Sequence, residues 1–496
     1  MKRAFVLVLV VLCLLSVNTT AQIKTDSLFT KEQLISDLDS LKNTIIASHP
    51  APFTFCGEEA FMKAYDNALS SIDSVVTLRD FSRIVARFIN VLEDSHSTVD
   101  YGQLSEMVFS DKDDFIVPFA VYRKDNEANG LDYELLIVRD WEDVLPRGGR
   151  LLSINGMDVH ELYDLSYEYA CTEGSATSAR NMVASGLLPY INGIFNPADS
   201  VNYFQVIPPG KEVAETYEVK GYQKKEYKEL RTQRNKLDIN KWINTTYDEE
   251  HSMAVLKLGT FSPPSSRKLK KHLKSTFKKV NEEGYKNLVV DLRGNGGGSS
   301  SWVEYFYAYF DSTGYNTPNN VISKNSELAM KRGKGITNPV VKAFVWLFYR
   351  HDEDIQSFKR FREMPIGSLD TVYFKDKVIH KKELVFNGNA YLMIDGMSAS
   401  ASVDFTNTFH RNKRGPIVGE PCLGPISGTW GNPARYTMPN SKLNVTISTI
   451  RYNYDNTFIY VQQAIQPDYW VKKTAEDLHS DRDTQLEFVK TLIKKK

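Results

Sequence analysis

The chain has 496 residues, of which 42% are hydrophobic and 25% are charged, a composition typical of a globular protein with ample core. This length exceeds that of one ordinary domain, so we expect two or three domains. Lys plus Arg and Asp plus Glu each number 61, which gives a net charge of zero. A neutral chain has no overall field to attract nucleic acid, so the composition argues against a nucleic-acid-binding protein.

Residues 1–21 predict a secretory signal peptide. A basic start precedes the apolar run 4–17, and small residues ending at Ala21 provide a cleavage site before Gln22. The alternative is an uncleaved N-terminal anchor. No later segment is long and apolar enough to cross a bilayer. We therefore expect a secreted or periplasmic protein with no membrane span after cleavage.

The cysteines and histidines indicate no metal site. Cleavage of the signal peptide would leave Cys56, Cys171 and Cys422, an odd and widely spaced set that allows at most one disulfide. There is no CxxC motif, and the nine histidines are scattered rather than set at ligand spacing. The sequence thus predicts neither a metal nor another cofactor, and it does not indicate an oligomeric state.

Residues 22–108 predict a helical N-terminal domain. Apolar residues recur at helical spacing from Leu34 to Ile45, and a later helix begins after Thr77 and carries an apolar face that extends to Leu92. This helix leads into the polar element Asp94-Ser95-His96-Ser97-Thr98. A lone histidine after a helix is usually a cap or a satisfied surface group.

Residues 109–222 predict a β-rich domain, because short apolar runs alternate with turn signals. The segment 144–159 is similar to the part of a PDZ domain in which a strand pair leads into a helix, and such domains bind extended peptide ends by strand addition. The alternative is a β-rich spacer without a binding role, and the piece 171–201 is expected to be irregular. Residues 223–250 are rich in charge and predict a solvated linker or an exposed helix.

Residues 251–496 predict an α/β domain. A strand from Met253, an amphipathic helix, a strand ending at Asp291, a glycine loop and an aromatic helix follow one another, which is the order of βαβ units with a largely parallel sheet. Residues 311–385 form a long insertion, interpreted as a lid or surface subdomain. Residues 484–493 predict a closing helix.

Within this domain, residues 390–424 predict a strand, a tight turn, a helix and a second strand, with Ser400 in the turn. A hydroxyl at such a junction faces the free N–H groups of the new helix. There an oxyanion can be stabilised and a serine can act as a nucleophile. The alternative is that Ser398, Ser400 and Ser402 are capping or small packing residues.

Two motifs in this order resemble the C-terminal processing peptidases, also called tail-specific proteases. Residues 287–301 combine an apolar strand, Asp-Leu-Arg and an Asn-x-Gly-Gly loop, and a Ser-Ala-Ser-Ala-Ser element follows later. The resemblance implies that Ser400 is the nucleophile and that the N–H groups of Gly297 and Ala401 form the oxyanion hole. It also implies a crotonase-like (ClpP/crotonase) α/β core and a polypeptide substrate that is unfolded or exposed at its C-terminus.

The expected base differs between branches of this family. The tail-specific branch uses a lysine within Gly-Lys-Gly, but this chain has Pro425 at that position, so a Ser-Lys dyad is excluded. The element around His96 resembles the Asp-x-His-Thr element of the tricorn-core branch, in which the histidine is the general base and a serine precedes it, as Ser95 does here. That branch also has a Glu shortly before a Pro-Asp element, where this chain has Gln462-Gln463 and no acid.

The expectation is therefore a secreted serine endopeptidase with Ser400 as nucleophile, His96 as base and Ser95 supporting the base. The main alternative is a catalytically inactive relative that binds peptides or acts as a scaffold, which Pro425 and the missing Glu favour. A hydrolase of another acyl bond is a third possibility.

Overall fold

A computed structural model describes most of the chain, over residues 24–111, 113–126, 132–310, 320–332, 360–373, 384–454 and 461–495. The predicted signal peptide lies outside the described residues, and so does much of the predicted insertion 311–385. Within the described residues, no helix combines the length and the apolar character needed to span a membrane.

The N-terminal region is helical, as its periodicity predicts. Thr30 caps the first helix in a capping box with Gln33, and the Thr77 side chain accepts the N–H of Asp80 at the start of the third. The α-helices are Lys31–Ser48, Gly57–Ser70, Leu78–Ile89 and Tyr101–Met107. A 3-10 turn, Asn90–Leu92, directly follows the third of them. The strands are the pair Leu28–Thr30 with Val75–Thr77, and Thr98–Val99.

The middle region is an antiparallel sheet covered by two helices. Its strands, in spatial order, are Glu215–Lys220, Val201–Ile207, Arg150–Ile154, Tyr133–Asp140 and Phe119–Asp125, with Met157–Asp158 beside Arg150–Ile154. Phe119–Asp125 is therefore an edge strand. The helices are Val159–Tyr169 and Thr177–Phe195, so the stretch 171–201, expected to be irregular, contains a 19-residue helix. A short pair joins Phe115–Ile116 to Tyr222–Gln223.

The predicted linker 223–250 also contains regular structure. It forms the helix Lys224–Lys241 and then the strand Ile243–Asp248, which pairs antiparallel with Met253–Leu258. Trp242 and Ile243 are buried at the start of this strand. The abundance of charge along the stretch hides these few apolar residues, which anchor it to the core.

The C-terminal region is built on a six-stranded sheet. In spatial order its strands are Ile243–Asp248, Met253–Leu258, Asn287–Asp291, Asn389–Ile394, Ile417–Gly419 and Tyr469–Trp470, and all pairs after the first are parallel. Its helices are Ser266–Glu282, Ser300–Tyr307, Ala401–Arg411, Ala475–His479 and Thr484–Lys494. Parallel strands end at one edge, so Asp291 and Ile394 lead into neighbouring loops.

One small sheet ties the N-terminal region to the C-terminal one, and a second small sheet lies within the C-terminal region. Thr98–Val99, directly after the predicted base, pairs with Asn444–Ile447, which in turn pairs with Ala434–Thr437. The second sheet contains Leu369–Tyr373, Asn320–Lys324, Ile450–Asn453 and Gly428–Gly431, and the helix Glu327–Arg332 follows its second strand in the chain. The architecture is thus mixed α/β, while the crotonase-like and PDZ-like assignments stay predictions.

Candidate active site

Ser400 occupies a sharp turn between a core strand and a helix. It is the N-cap residue of Ala401–Arg411, with φ 52° and ψ −118°. A non-glycine residue in such a conformation costs roughly 1–3 kcal/mol and is found mainly where the surrounding structure enforces it, often at active sites. The Ser400 side chain makes no capping hydrogen bond to the helix, so the capping interpretation does not describe this serine.

The two flanking serines have structural partners. The Ser398 hydroxyl donates to the carbonyl of Leu292 at 2.8 Å, and the Ser402 hydroxyl donates to the carbonyl of Asn295 at 2.8 Å. Both side chains are fully buried. These two hydrogen bonds hold the turn 398–402, called the serine turn below, against the loop that follows Asp291. Ser400, in contrast, lines a cavity of about 990 Å³.

The structure places His96 in the wall of the same cavity as Ser400, although the two residues are far apart in the chain. Ser95 and Gly296 line it as well. His96 lies in a loop between the 3-10 turn Asn90–Leu92 and the strand Thr98–Val99. The predicted nucleophile and the predicted base therefore meet at one cavity.

A buried carboxylate that the sequence did not indicate, Glu173, lies behind His96. The Ser95 hydroxyl donates to Oε2 of Glu173 at 2.6 Å and lies 3.1 Å from Nδ1 of His96. Oε2 of Glu173 is itself 3.9 Å from that nitrogen. The backbone N–H of Trp430 donates to the other carboxylate oxygen, Oε1, at 2.8 Å. Glu173 has no exposed surface.

These contacts define the hydrogen positions around His96. The single proton of the Ser95 hydroxyl points to Glu173, so the hydroxyl oxygen accepts the Nδ1–H of His96. The lone pair of the neutral ring then lies on Nε2, the nitrogen that can take a proton. Burial raises the pKa of the Glu173 carboxyl, whereas the charge of a protonated His96 lowers it.

Asp94 holds the loop that carries His96. Its Oδ1 accepts the N–H of His96 at 2.9 Å, and its Oδ2 lies 3.2 Å from Nε2 of the buried His49 and also accepts the Ser97 hydroxyl. Burial alone would raise the pKa of the Asp94 carboxyl, but the hydrogen bond and charge of His49, the charge of His96 and the Ser97 hydroxyl lower it to about 2. Asp94 therefore stays ionised and fixes the loop.

The glycine loop packs directly against the serine turn. Gly297 has φ +96°, and a Cβ added there would lie 2.5 Å from the carbonyl oxygen of Ala399 and 2.7 Å from Cβ of Ser400. Only glycine fits this approach. The Gly297 N–H donates to Oδ1 of Asn295 at 2.9 Å, so this predicted oxyanion donor has an internal acceptor in the structure.

Ala401, the other predicted oxyanion donor, is the first residue of the helix after Ser400. The N–H groups of a first helical turn have no acceptor within the helix and carry its positive dipole end. The backbone beside Ser400 thus offers a donor where an oxyanion would form.

The loop of Glu173 lies against the segment in which the resemblance places a Glu. The N–H of Ser175 donates to the carbonyl of Gln462 at 2.9 Å, and a Cβ at Gly174 would lie 2.2 Å from that oxygen and 3.2 Å from the ring of Pro425. Glu173 therefore enters the site beside Gln462 and Pro425. No local motif marks Glu173 in the sequence, since it stands alone in a stretch expected to be irregular.

Asp404 is in the first turn of the helix Ala401–Arg411, and its hydrogen bonds are not to His96. It accepts hydrogen bonds from the hydroxyls of Tyr454 and Ser300. Burial raises the pKa of the Asp404 carboxyl to about 6, although these two hydrogen bonds lower it.

Among the residues described, no group of three or more His, Cys, Asp or Glu side chains is arranged to hold a metal ion, and Cys56, Cys171 and Cys422 are free thiols. The chemistry that these residues offer is nucleophilic. Ser400, on its strained turn, shares a cavity with His96. Nδ1 of His96 is oriented by the Ser95 hydroxyl and the buried Glu173 carboxylate, and this is the arrangement of a serine-type hydrolase.

Comparison with known proteins specifies this class. Residues 252–471 match the model of peptidase family S41. The chain is therefore a serine-type peptidase of the C-terminal processing kind, which confirms the resemblance seen in the motifs. Comparison with curated proteins gives no significant match.

Similar solved structures include three of CPAF. A mutant is 14% identical with a TM-score of 0.62, over 94% of this chain and 97% of that chain. The lactacystin complex of mature CPAF is 13% identical with a TM-score of 0.60, over 93% of this chain and 98% of that chain. Mature CPAF itself is 14% identical with a TM-score of 0.58, over 94% and 97%. At these identities the likeness shows a shared fold alone.

Proposed function

We propose that this chain is an extracytoplasmic endopeptidase in which Ser400 attacks a peptide carbonyl and His96 is the general base. One observation supports it above the others: the Ser95 hydroxyl connects Nδ1 of His96 to the buried carboxylate of Glu173. A peptide-binding relative without catalysis has no need of a histidine oriented in this way. The signal peptide predicted over residues 1–21 supports the location outside the cytoplasm.

In the proposed reaction, Nε2 of His96 takes the proton of the Ser400 hydroxyl as the oxygen attacks the carbonyl carbon. The resulting imidazolium is stabilised by Glu173 through the Ser95 hydroxyl. His96 then returns the proton to the leaving amine, and a water molecule hydrolyses the acyl-enzyme by the reverse sequence of proton transfers.

The oxyanion of the tetrahedral intermediate is stabilised by backbone donors at Ala401 and Gly297. The Gly297 N–H is shared with, or released from, Oδ1 of Asn295 when a substrate oxygen arrives. Asn295 is held by its own bond to the carbonyl of Leu258 at 2.9 Å, so the loop keeps its shape during this exchange.

The lining of the cavity favours an extended polypeptide. Residues 120–123 and 125 of the edge strand Phe119–Asp125 line it, and so do residues of the helix Thr177–Phe195. An edge strand has unpaired backbone groups that can bind a further strand. This arrangement supports a substrate that is unfolded or has an exposed end, and it supports the PDZ-like interpretation of 109–222.

Labelling with a fluorophosphonate serine probe tests the proposal. We expect labelling of the wild type, its complete loss in Ser400→Ala and a strong decrease in His96→Ala. Ser402→Ala is the matched control, because this neighbouring hydroxyl has a structural partner and its loss leaves the nucleophile in place. If the folded wild type is not labelled, or if Ser400→Ala is still labelled, the proposed nucleophile is wrong.

A second candidate function is peptide binding without catalysis. The engaged N–H of Gly297 favours it, since the oxyanion hole is not fully open in the structure. This candidate predicts that peptides bind along the edge strand of the folded wild type while the probe labels neither the wild type nor the variants.

A further inference from the structure

Glu420 is a buried carboxylate in the cavity wall that the proposed reaction does not use. It directly follows the core strand Ile417–Gly419, only 6% of its surface is exposed, and it lines the cavity. One carboxylate oxygen accepts the hydroxyl of Tyr122 at 3.0 Å. The other oxygen accepts no hydrogen bond from the part of the chain that the structure describes.

The backbone pairing gives the distance from Glu420 to the nucleophile. The N–H of Glu420 donates to the carbonyl of Ile394 at 3.1 Å, and Leu423 forms a parallel bridge with Ala399. The segment 420–423 therefore runs beside the turn that leads to Ser400. Three residues of backbone span at most about 10 Å, so Glu420 lies within roughly 10 Å of the position beside the nucleophile, a distance that an extended substrate covers in about three residues.

The other charges of this wall are either paired or exposed. Asp125 accepts a hydrogen bond from Arg123 at 2.8 Å and lies 3.6 Å from Nζ of Lys472. Lys473 is an exposed residue at the rim. Solvated amines are screened by water and salt, whereas a charge in a buried site interacts strongly with a group placed against it. Among the cavity-lining residues that the structure describes, Glu420 is therefore the one charged side chain that is buried.

We propose that Glu420 is a specificity-determining residue that binds the ammonium or guanidinium group of a substrate lysine or arginine, about two to four residues from the scissile bond. This inference rests on the proposed peptidase function and names the substrate class of the same site. Tyr122 holds one oxygen of the carboxylate, and the other accepts the cationic donor. Burial raises the pKa of Glu420, whereas the hydrogen bond from Tyr122 lowers it. A substrate cation would stabilise the ionised form of Glu420.

Cleavage of a peptide library by the wild type and by Glu420→Gln tests this inference. We expect wild-type cleavage sites to be enriched in Lys and Arg at one position, and the enrichment to disappear in Glu420→Gln. For matched peptides with Arg or citrulline at that position, kcat/KM should favour Arg about ten-fold or more in the wild type and be nearly equal in the variant. Glu420→Gln should retain labelling by the fluorophosphonate probe.

Tyr122→Phe is the control for a merely structural role, because it removes the hydrogen bond and leaves the carboxylate. It should keep the preference for Arg over citrulline. If Glu420→Gln and Tyr122→Phe lose activity equally toward both peptides, the two residues have a structural role only and the proposal is overturned. A wild-type cleavage profile without enrichment of Lys and Arg would also overturn it. Absence of all cleavage together with absence of probe labelling would instead overturn the peptidase function on which the inference rests.

Discussion

At the scale of single residues, the site separates serines and glycines that look alike in the sequence. Ser398 and Ser402 are bound to backbone carbonyls, while Ser400 faces the cavity on a turn that its neighbours enforce. Gly297 touches the backbone of that turn, whereas a Cβ at Gly296 would meet no atom within 4 Å. Each of these differences predicts a contrast between two neighbouring substitutions.

The first contrast is between the glycines. Gly297→Ala forces a Cβ to within 2.5 Å of a backbone oxygen at a positive φ, so the loop must move and its N–H turns away from the oxyanion position. We expect kcat/KM for a peptide substrate to fall by about 100–1000-fold, the usual effect of losing one oxyanion donor. Gly296→Ala is the control and should stay within a few-fold of the wild type. Similar activity in both variants would contradict the role of Gly297.

Glu173 gives a second residue-scale prediction. Glu173→Gln removes the charge that stabilises the His96 imidazolium but keeps an acceptor near Ser95. We expect kcat to fall by about 100-fold or more with little change in KM, and the pH profile of probe labelling to shift, because the residue acts through the base. Ser175→Ala, in the same loop, is the control. Equal decreases in both variants, without a change in pH profile, would assign the loop a structural role only.

At the scale of elements, the helix Ala401–Arg411 has the proposed nucleophile at its N-terminal end and a buried acid in its first turn. Asp404 is 4% exposed and has its pKa raised to about 6, mainly by burial. A carboxyl whose pKa is higher in the folded state than in the unfolded state favours folding only while it is protonated. The stability of the fold around this helix therefore depends on pH.

This coupling predicts the pH dependence of stability. As pH rises from about 4 to about 7, ionisation of Asp404 should lower the free energy of unfolding by about 3 kcal/mol, since each pKa step is worth about 1.4 kcal/mol. Asp404→Asn removes this pH-dependent contribution to the free energy of unfolding. Denaturant unfolding of both proteins across this range should show the variant gaining stability relative to the wild type as pH rises. Parallel stability curves would show that Asp404 does not titrate there.

Elements also mark the limit of what the sequence predicts. The strand, turn and helix around Ser400 follow from a local pattern of apolar residues and turn signals, and so does the helix before His96. The helix Thr177–Phe195 was missed because its apolar residues surround it rather than form one stripe. Glu173 could not be inferred, because its role arises from tertiary contacts with Ser95 and Trp430 and not from its neighbours in the chain.

At the scale of the whole molecule, three distant segments supply the site. His96 comes from the N-terminal region, Glu173 from the middle region and Ser400 from the C-terminal sheet. The N-terminal segment is held by the C-terminal one, since the Thr446 hydroxyl donates to the carbonyl of His96 at 2.8 Å and the N–H of Ser448 donates to the Ser97 hydroxyl at 3.0 Å.

Thr446→Val tests this long-range support. It removes the hydrogen bond to the His96 carbonyl while keeping the shape of the side chain, so we expect kcat to fall about two- to ten-fold, as for the loss of one neutral hydrogen bond. Thr437→Val, on the adjacent strand, removes a hydroxyl bound to Asn444 and leaves His96 untouched. Steady-state kinetics should separate the two. An unchanged kcat in Thr446→Val would mean that the Thr446 hydroxyl is not needed to position the base.

The dispersal of these groups along the chain also has a consequence for biosynthesis. The proposed base is translated roughly 300 residues before the proposed nucleophile, which at about 5–20 residues per second corresponds to roughly 15–60 s. A nascent chain that has not reached residue 400 therefore contains His96 and Glu173 without the proposed nucleophile. In the proposed mechanism, proteolytic activity begins only after the last large segment has emerged and folded against the first, so the order of synthesis itself delays the appearance of an active peptidase.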